Sequence, residues 1–227
     1  MSILAIDTVT EMCSVAVSNN DEVFSISELV KQRHTETVLP MVQQVLEQAG
    51  LSLAQITTLA FDRGPGSFTG LRVGAGVVQG LALAQDIPVI PVSSLAVLAQ
   101  GAYRQNQQAQ VLACMDARRN EVYWACYELH NGLMAAVGEE YVTGADLVAT
   151  PAQSPWYGIG TGFASYYDEL SQNCQVNVTD YDAMRYPLAE DMLPLAQAAW
   201  EAGNSIAPNE AIPIYLRDDV THSVKHN

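Results

Sequence analysis

Ile3 to Ile6 form an unbroken apolar run that ends at Asp7. A run of this kind predicts a strand buried on both faces. The next two segments, "CSVAVS" and "EVFSIS", alternate apolar and polar positions and are separated by "NND". They predict two strands joined by a hairpin turn. Val38, Leu39, Val42, Val45, Leu46 and Ala49 then recur at helical spacing, and Gly50 supplies a stop. Pro40 has no N–H to donate and belongs in a first turn, which selects Thr37 as the N-cap. "ITTLAFD" predicts a fourth strand, 67–85 a long helix and "IPVIPV" a fifth strand. Ser93 is placed to cap a helix that runs to about Tyr103.

The polar, unpatterned "RQNQQAQ" (104–110) predicts a boundary between two lobes. Beyond it, "VLACMD", "EVYWACYE" and "EEYVT" predict three strands, 144–149 a short helix, and "WYGIG" another strand. A helix over 163–172, an ill-defined strand near Val176 and a helix over 188–202 complete the second half. The organisation expected is an amino-terminal lobe at 1–105, a carboxy-terminal lobe at 106–216 and a frayed tail at 217–227.

The halves share an order of elements without sharing obvious sequence. Each opens with an apolar strand, an Asp at its end, a tight turn and an alternating strand. Asp7 and Asp116 occupy matching places. This duplicated α/β plan resembles the two-lobed actin, Hsp70 and sugar-kinase architecture, with a ribonuclease-H-like mixed sheet and helices in each lobe. In that fold the two strand-end aspartates face one another across an ATP cleft. Asp is also a common turn former after a strand, so either residue alone carries little.

"RGPGSFTGLRVG" (63–74) raises the question of phosphate binding. A P-loop needs Gly-x-x-x-x-Gly-Lys-Ser/Thr, and Gly64 has no glycine five residues on. A dinucleotide fingerprint needs a third glycine where Thr69 stands. Both templates fail. What remains is spacing: Gly66, Gly70 and Gly74 recur every four residues, and Gly76, Gly80 and Ala84 do so on an adjoining line. Rows of small residues make a flat helical groove that another backbone can enter. That groove fits the protein's own sheet, or another subunit met with the help of Leu71, Val73, Val77 and Leu81.

Of the 227 residues, 49% are hydrophobic and 15% charged, which excludes a disordered chain. No apolar run reaches membrane-spanning length, and the amino terminus lacks a basic signal region, so a cytoplasmic protein is expected. The net charge of −15 repels phosphate backbones and predicts that a partner holds any nucleic acid. Cys13, Cys114, Cys126 and Cys174 form no Cys-x-x-Cys pair and have no zinc-ligand spacing with a histidine.

"ILAIDTVTEMCSVAV", "HTETVLPM", "RGPGSFTGLRVGAGVVQGLALA", "MDARRNEVYWACY", "AEDMLPLA" and "PIYLRDDVT" follow one another in this order. Together they closely resemble the bacterial TsaB (YeaZ) family over essentially the whole chain. The resemblance implies a non-catalytic component of the machinery that makes N6-threonylcarbamoyladenosine beside the anticodon of ANN-decoding tRNAs. It implies a heterodimer with the TsaD-type subunit that transfers the group, a TsaE-type ATPase as third component, tRNA engaged indirectly, and homodimers when the partner is absent. It implies no cofactor on the chain alone and leaves ATP or ADP to the complex. It also assigns the contact to helices about 35–49 and 67–84. The interface residues selected here are His34, Leu39, Val42, Val45, Leu46, Gly70, Leu71, Val73, Gly74, Val77 and Leu81. A bulky residue at Gly70 or Gly74 is then expected to abolish heterodimerisation while the monomer stays folded.

The same comparison marks what is missing. TsaD-type proteins carry a metal-binding His-x-x-x-His pair just after the fifth strand, where this chain has Ser94 and Leu98. Leucine cannot ligate a metal and serine is a poor ligand. His34, His130, His222 and His226 are scattered, with the last two in the tail. A vestigial nucleotide cleft is assigned to Asp7, Thr8, Thr10, Asp116, Arg118, Gly160 and Gly162, with Arg118 and Arg119 too bulky for close backbone approach to a phosphate. The rival reading from another class is an autonomous actin-like ATPase or small-molecule kinase using Asp7 and Asp116. A metallopeptidase would need a metal pair, or a nucleophile with a base, and the sequence offers neither.

Overall fold

Two sheets organise the chain, and both use one strand order. The computed structural model describes residues 1–20, 22–151, 155–173 and 176–217. The first half comprises β1 (Ser2–Asp7), β2 (Met12–Asn19), β3 (Glu22–Leu29), α1 (His34–Ala49), β4 (Thr58–Gly64), α2 (Phe68–Gln85), β5 (Val89–Ser93) and α3 (Ser94–Asn106). The second comprises β6 (Gln110–Arg118), β7 (Glu121–His130), β8 (Leu133–Gly144), β9 (Trp156–Ile159), α4 (Thr161–Ser165), α5 (Tyr167–Gln172), β10 (Val178–Asp182) and α6 (Ala189–Glu201).

The sheets run β3-β2-β1-β4-β5 and β8-β7-β6-β9-β10. In each, the first three strands form an antiparallel meander and the last two join in parallel. The sequence-level duplication is therefore a duplication of topology, and the chain has the actin-like two-lobed fold.

Burial on both faces explains the apolar runs. Leu4 and Ile6 of β1 enter a core with Val38, Val42 and Val45 of α1 and Ala75 and Val78 of α2. Ile3 and Ala5, on the opposite face, pack with Met192, Leu193 and Ala196 of α6. The second sheet repeats the arrangement: Ala113 and Met115 of β6 pack with Leu95 and Leu98 of α3, and Leu112 and Cys114 with Phe163 and Leu170. The helices are thus exchanged. α3 follows the first sheet in sequence but covers the second, and α6 follows the second but covers the first. Arg104 of α3 ties the exchanged helices together through Asp191 (2.5 Å) and Glu190 (2.6 Å) of α6.

Local boundaries differ from the expectation in several places. α1 begins at His34 and its N-cap position is Arg33; Thr37 lies inside the helix and donates its hydroxyl hydrogen to the Arg33 carbonyl at 2.9 Å. Pro40 is consequently internal. "EEYVT" is the end of the longer β8, 144–149 contains only a 3₁₀ turn at Ala145–Leu147, and the helix expected over 163–172 breaks at Tyr166. α3 runs on to Asn106, and the weak strand lies at Val178–Asp182. Gly50 does end α1 in a left-handed conformation, and Ser67 and Ser93 cap α2 and α3. Cys174, His222, His226 and the tail beyond Arg217 lie outside the described residues.

Candidate functional site

α1 and α2 lie side by side on one face of the first sheet, and a groove of about 480 Å³ opens between them. Its walls are Thr35 and Leu39 from α1, and Arg72, Val73, Gly76, Val77, Gly80 and Leu81 from α2. The periodicity is direct: 35 and 39, 72, 76 and 80, and 73, 77 and 81 are each one helical turn apart, so each set shares a face. Leu39 is 49% exposed. A Cβ added to Gly76 or Gly80 would meet nothing within 4 Å. These two glycines make the floor flat, at a helix-propensity cost of about 1 kcal/mol each relative to alanine. Arg72 closes one end with its guanidinium carbon 3.6 Å from the Phe68 ring centroid and its Nε donating to the Tyr215 hydroxyl at 3.1 Å.

The structure divides the interface residues selected from the sequence. Leu39, Val73, Val77 and Leu81 line the groove. Val42, Val45 and Leu46 do not: they are buried against the sheet in the core of their own lobe. Leu71 is buried too, 2% exposed, and His34 is buried at the start of α1. Gly70 and Gly74 also point inward. A Cβ on Gly70 would collide with the Thr8 carbonyl oxygen, one on Gly74 would lie 2.6 Å from Thr8 Oγ1, and one on Gly66 would lie 2.7 Å from the Val9 carbonyl oxygen. The Thr8 hydroxyl donates to the Gly70 carbonyl at 2.7 Å, and the Ser67 N–H to the Val9 carbonyl at 2.7 Å. The first glycine line therefore seats α2 on the β1–β2 turn, and the expected folded monomer with a bulky residue at 70 or 74 is not compatible with this packing. The outward line is Gly76 and Gly80. Its four-residue spacing was visible in the sequence, but which line faced out was not.

The aspartates expected to face a cleft have different fates. Asp7 is fully buried and Thr8 nearly so. Thr10 Oγ1 accepts the Met12 N–H within its own turn. Asp116 is engaged by its own chain: Oδ1 accepts the Arg118 N–H at 2.7 Å and the Tyr166 hydroxyl at 3.2 Å, and Oδ2 accepts from Arg118 at 3.2 Å. Arg118, Arg119 and Asn120 all have positive φ, so the turn is left-handed throughout. Arg118 also reaches Glu11 of the other half at 3.8 Å. Gly160 and Gly162 let the start of α4 lie against β6; a Cβ on Gly160 would sit 2.5 Å from the Cys114 carbonyl oxygen, and one on Gly162 would collide with Cys114 Sγ. Their role is close packing. Asp116, Arg118 and α4 do come together, but Asp7 and Thr8 are sealed beneath α2.

One buried group escaped the sequence reading because it ends an ordinary strand. Asp62 of β4 is 2% exposed, and its Oδ1 accepts the Gly64 N–H at 2.8 Å and lies 2.6 Å from Ser94 Oγ. Ser94, at one of the positions that match the metal-binding histidine pair of TsaD-type proteins, lies 2.6 Å from both Asp62 Oδ1 and the Pro65 carbonyl oxygen; Leu98, at the other, is buried in the core of the second lobe. Among the described residues, no group of three or more His, Cys, Asp or Glu is arranged to hold a metal ion, and no helix is long and apolar enough to cross a membrane.

Comparison with known proteins follows the same lines. Residues 25–222 match the family described as "TsaD: tRNA N6-adenosine threonylcarbamoyltransferase". The chain is 44% identical to the tRNA threonylcarbamoyladenosine biosynthesis protein TsaB of Escherichia coli, over 97% of this chain and 96% of that one. It is 40% identical to the protein of the same name from Haemophilus influenzae, over 97% and 95%. The solved structure of YeaZ from Pseudomonas aeruginosa superimposes with a TM-score of 0.90 at 44% identity, covering 95% of this chain and 99% of that one.

Proposed function

The chain belongs to the TsaB (YeaZ) family of tRNA threonylcarbamoyladenosine biosynthesis proteins, matching the broader TsaD model over most of its length, and on that premise we propose that it is a non-catalytic subunit. Its task in this reading is to hold and activate a TsaD-type transferase, which owns the metal and the chemistry, during modification of adenosine beside the anticodon. The observation that carries the proposal is the open apolar groove between α1 and α2, floored by Gly76 and Gly80. A helix of a related subunit can approach such a floor closely, because no side chain separates the two backbones. The same face serves a second copy of this chain when the partner is absent. With a net charge of −15, this chain leaves most tRNA contact to the partner. A TsaE-type ATPase is the third component, and any ATP or ADP belongs to the assembly rather than to this chain, since Asp7 is buried and Asp116 is bonded to its own turn.

The test is capture of a purified TsaD-type subunit, followed by threonylcarbamoylation of tRNA. Leu81→Asp and Gly76→Leu should each weaken capture by at least about 30-fold, the size of an interface hot spot, and should reduce modification in parallel while circular dichroism stays unchanged. Undiminished capture by both variants overturns the assignment of the groove. ATP turnover by the isolated chain that disappears in Asp116→Asn would instead support the autonomous ATPase.

A further inference from the structure

Asp7 and Asp62 directly follow Ile6 and Phe61, which are paired across the neighbouring parallel strands β1 and β4, so the two carboxyl-bearing residues stand side by side. Both residues are buried, and Oδ2 of each is buried without a hydrogen-bond partner. Two acceptor oxygens in that position repel unless a proton lies between them. The hydrogen-bond donors around the two carboxyls differ. Ser94 Oγ lies 2.6 Å from both Asp62 Oδ1 and the Pro65 carbonyl oxygen, and its single hydrogen can serve either. Asp7 Oδ1 accepts only the Val9 N–H, at 3.0 Å, whereas Asp62 Oδ1 has both the Gly64 N–H and the Ser94 hydroxyl at hand. The negative charge is better held on Asp62, which places the proton on Asp7.

We infer that Asp7 and Asp62 retain one proton between them at neutral pH, and that this proton is a latch holding together the strand ends on which α2 is seated. The Asp7 end leads into Thr8 and Val9, which bond Gly70 and Ser67; the Asp62 end leads into Gly64, Pro65 and Gly66. Loss of the proton leaves two negative charges in one buried site and drives the two ends apart. The charged and titratable neighbours are few. Arg63 follows Asp62 and is paired with Glu140 at 3.3 Å, and Cys13 of β2 lies near enough to feel the Asp7 charge. Ser94 faces the pair from α3. Burial drives both carboxyls above the ordinary range; on Asp7 the Asp62 charge adds to this, and on Asp62 the Ser94 and Gly64 donors oppose it.

The experiment uses the full chain alone, so it stands apart from the docking proposal. The folded state holds a proton that the unfolded chain, with both carboxylates ionised, does not. Stability attributable to the pair therefore falls as pH rises above the ordinary carboxylate value. The unfolding constant of the wild type, measured by urea titration, should grow about tenfold per pH unit relative to Asp7→Asn between about pH 5 and about pH 7. Asp7→Asn supplies a permanent N–H donor to Asp62 and removes the shared proton, so its slope should be flatter than the wild type's, leaving only what the burial of Asp62 contributes. Infrared spectra of the native wild type at pH 7 should show a protonated-carboxyl stretch that Asp7→Asn lacks. Absence of that band from the wild type, or an Asp7→Asn slope equal to the wild type's, overturns the inference. If the variant does not fold, the wild-type band decides alone: its presence, shifting on deuteration, supports the latch, and its absence refutes it.

Discussion

The two glycine lines of α2 should respond oppositely to the same small perturbation, a single added methyl group. Gly76 is in open space with helical neighbours on both sides. Replacing it by alanine removes the backbone entropy penalty of glycine and should stabilise the chain by up to about 1 kcal/mol. Gly70 is in the same helix with the same intrinsic preference, but its new methyl would collide with the Thr8 carbonyl oxygen. Relief of the clash means lifting α2 from the β1–β2 turn, with loss of the 2.7 Å bond from Thr8 to the Gly70 carbonyl. Overpacking of this kind costs about 1–3 kcal/mol, and the broken bond adds about 1 kcal/mol. The propensity gain offsets only part of this, leaving a net loss of about 1–3 kcal/mol. For a chain of this size, about 1 kcal/mol moves the melting temperature by roughly 2–4 °C. Gly76→Ala should thus melt a few degrees above the wild type and Gly70→Ala several degrees below it, followed by circular dichroism at 222 nm (far-ultraviolet helix signal) at about equal protein concentrations. Equal shifts in the two variants, or a stabilised Gly70→Ala, would refute the division into an inward and an outward line.

Two further outcomes test other parts of the structure. Burial pushes the thiols of Cys13 and Cys126 up to about 12 and that of Cys114 higher still; with so little thiolate, all three should resist alkylation in the native chain at about pH 8 and react on unfolding, as read by peptide mapping, whereas prompt native labelling of Cys114 would contradict its packing beneath Gly160 and Gly162. Arg104→Ala should destabilise the chain by about 1–3 kcal/mol, because it strips Asp191 of its 2.5 Å partner while the guanidinium it removes was still partly in water; a urea midpoint unchanged from the wild type would show that the ion pair does not hold the exchanged helices.

Much of the fold was legible because its signals are local. The buried strand "SILAID", the alternation of "CSVAVS", the Ser93 cap and the Gly50 stop each depend on neighbours within a few residues. The duplicated order of elements followed from reading them in series. Pro40 misleads at the α1 boundary: a proline favours a first turn, whereas the helix begins at His34 and keeps the proline inside it.

What tertiary structure decided is which side of each pattern meets protein and which meets water. Glycine carries no hydrophobicity to distinguish Gly70–Gly74 from Gly76–Gly80; only the approach of Thr8 and Val9 to α2 does so. Val42, Val45 and Leu46 share the helical period of Leu39, yet the sheet beneath α1 claims them and leaves Leu39 exposed. The exchange of α3 and α6 between sheets, and the meeting of Asp7 with Asp62 across 55 positions of chain, arise from contacts between residues far apart in sequence. Periodicity records that a residue is buried somewhere; the partner that buries it is set by how the elements close on one another in space.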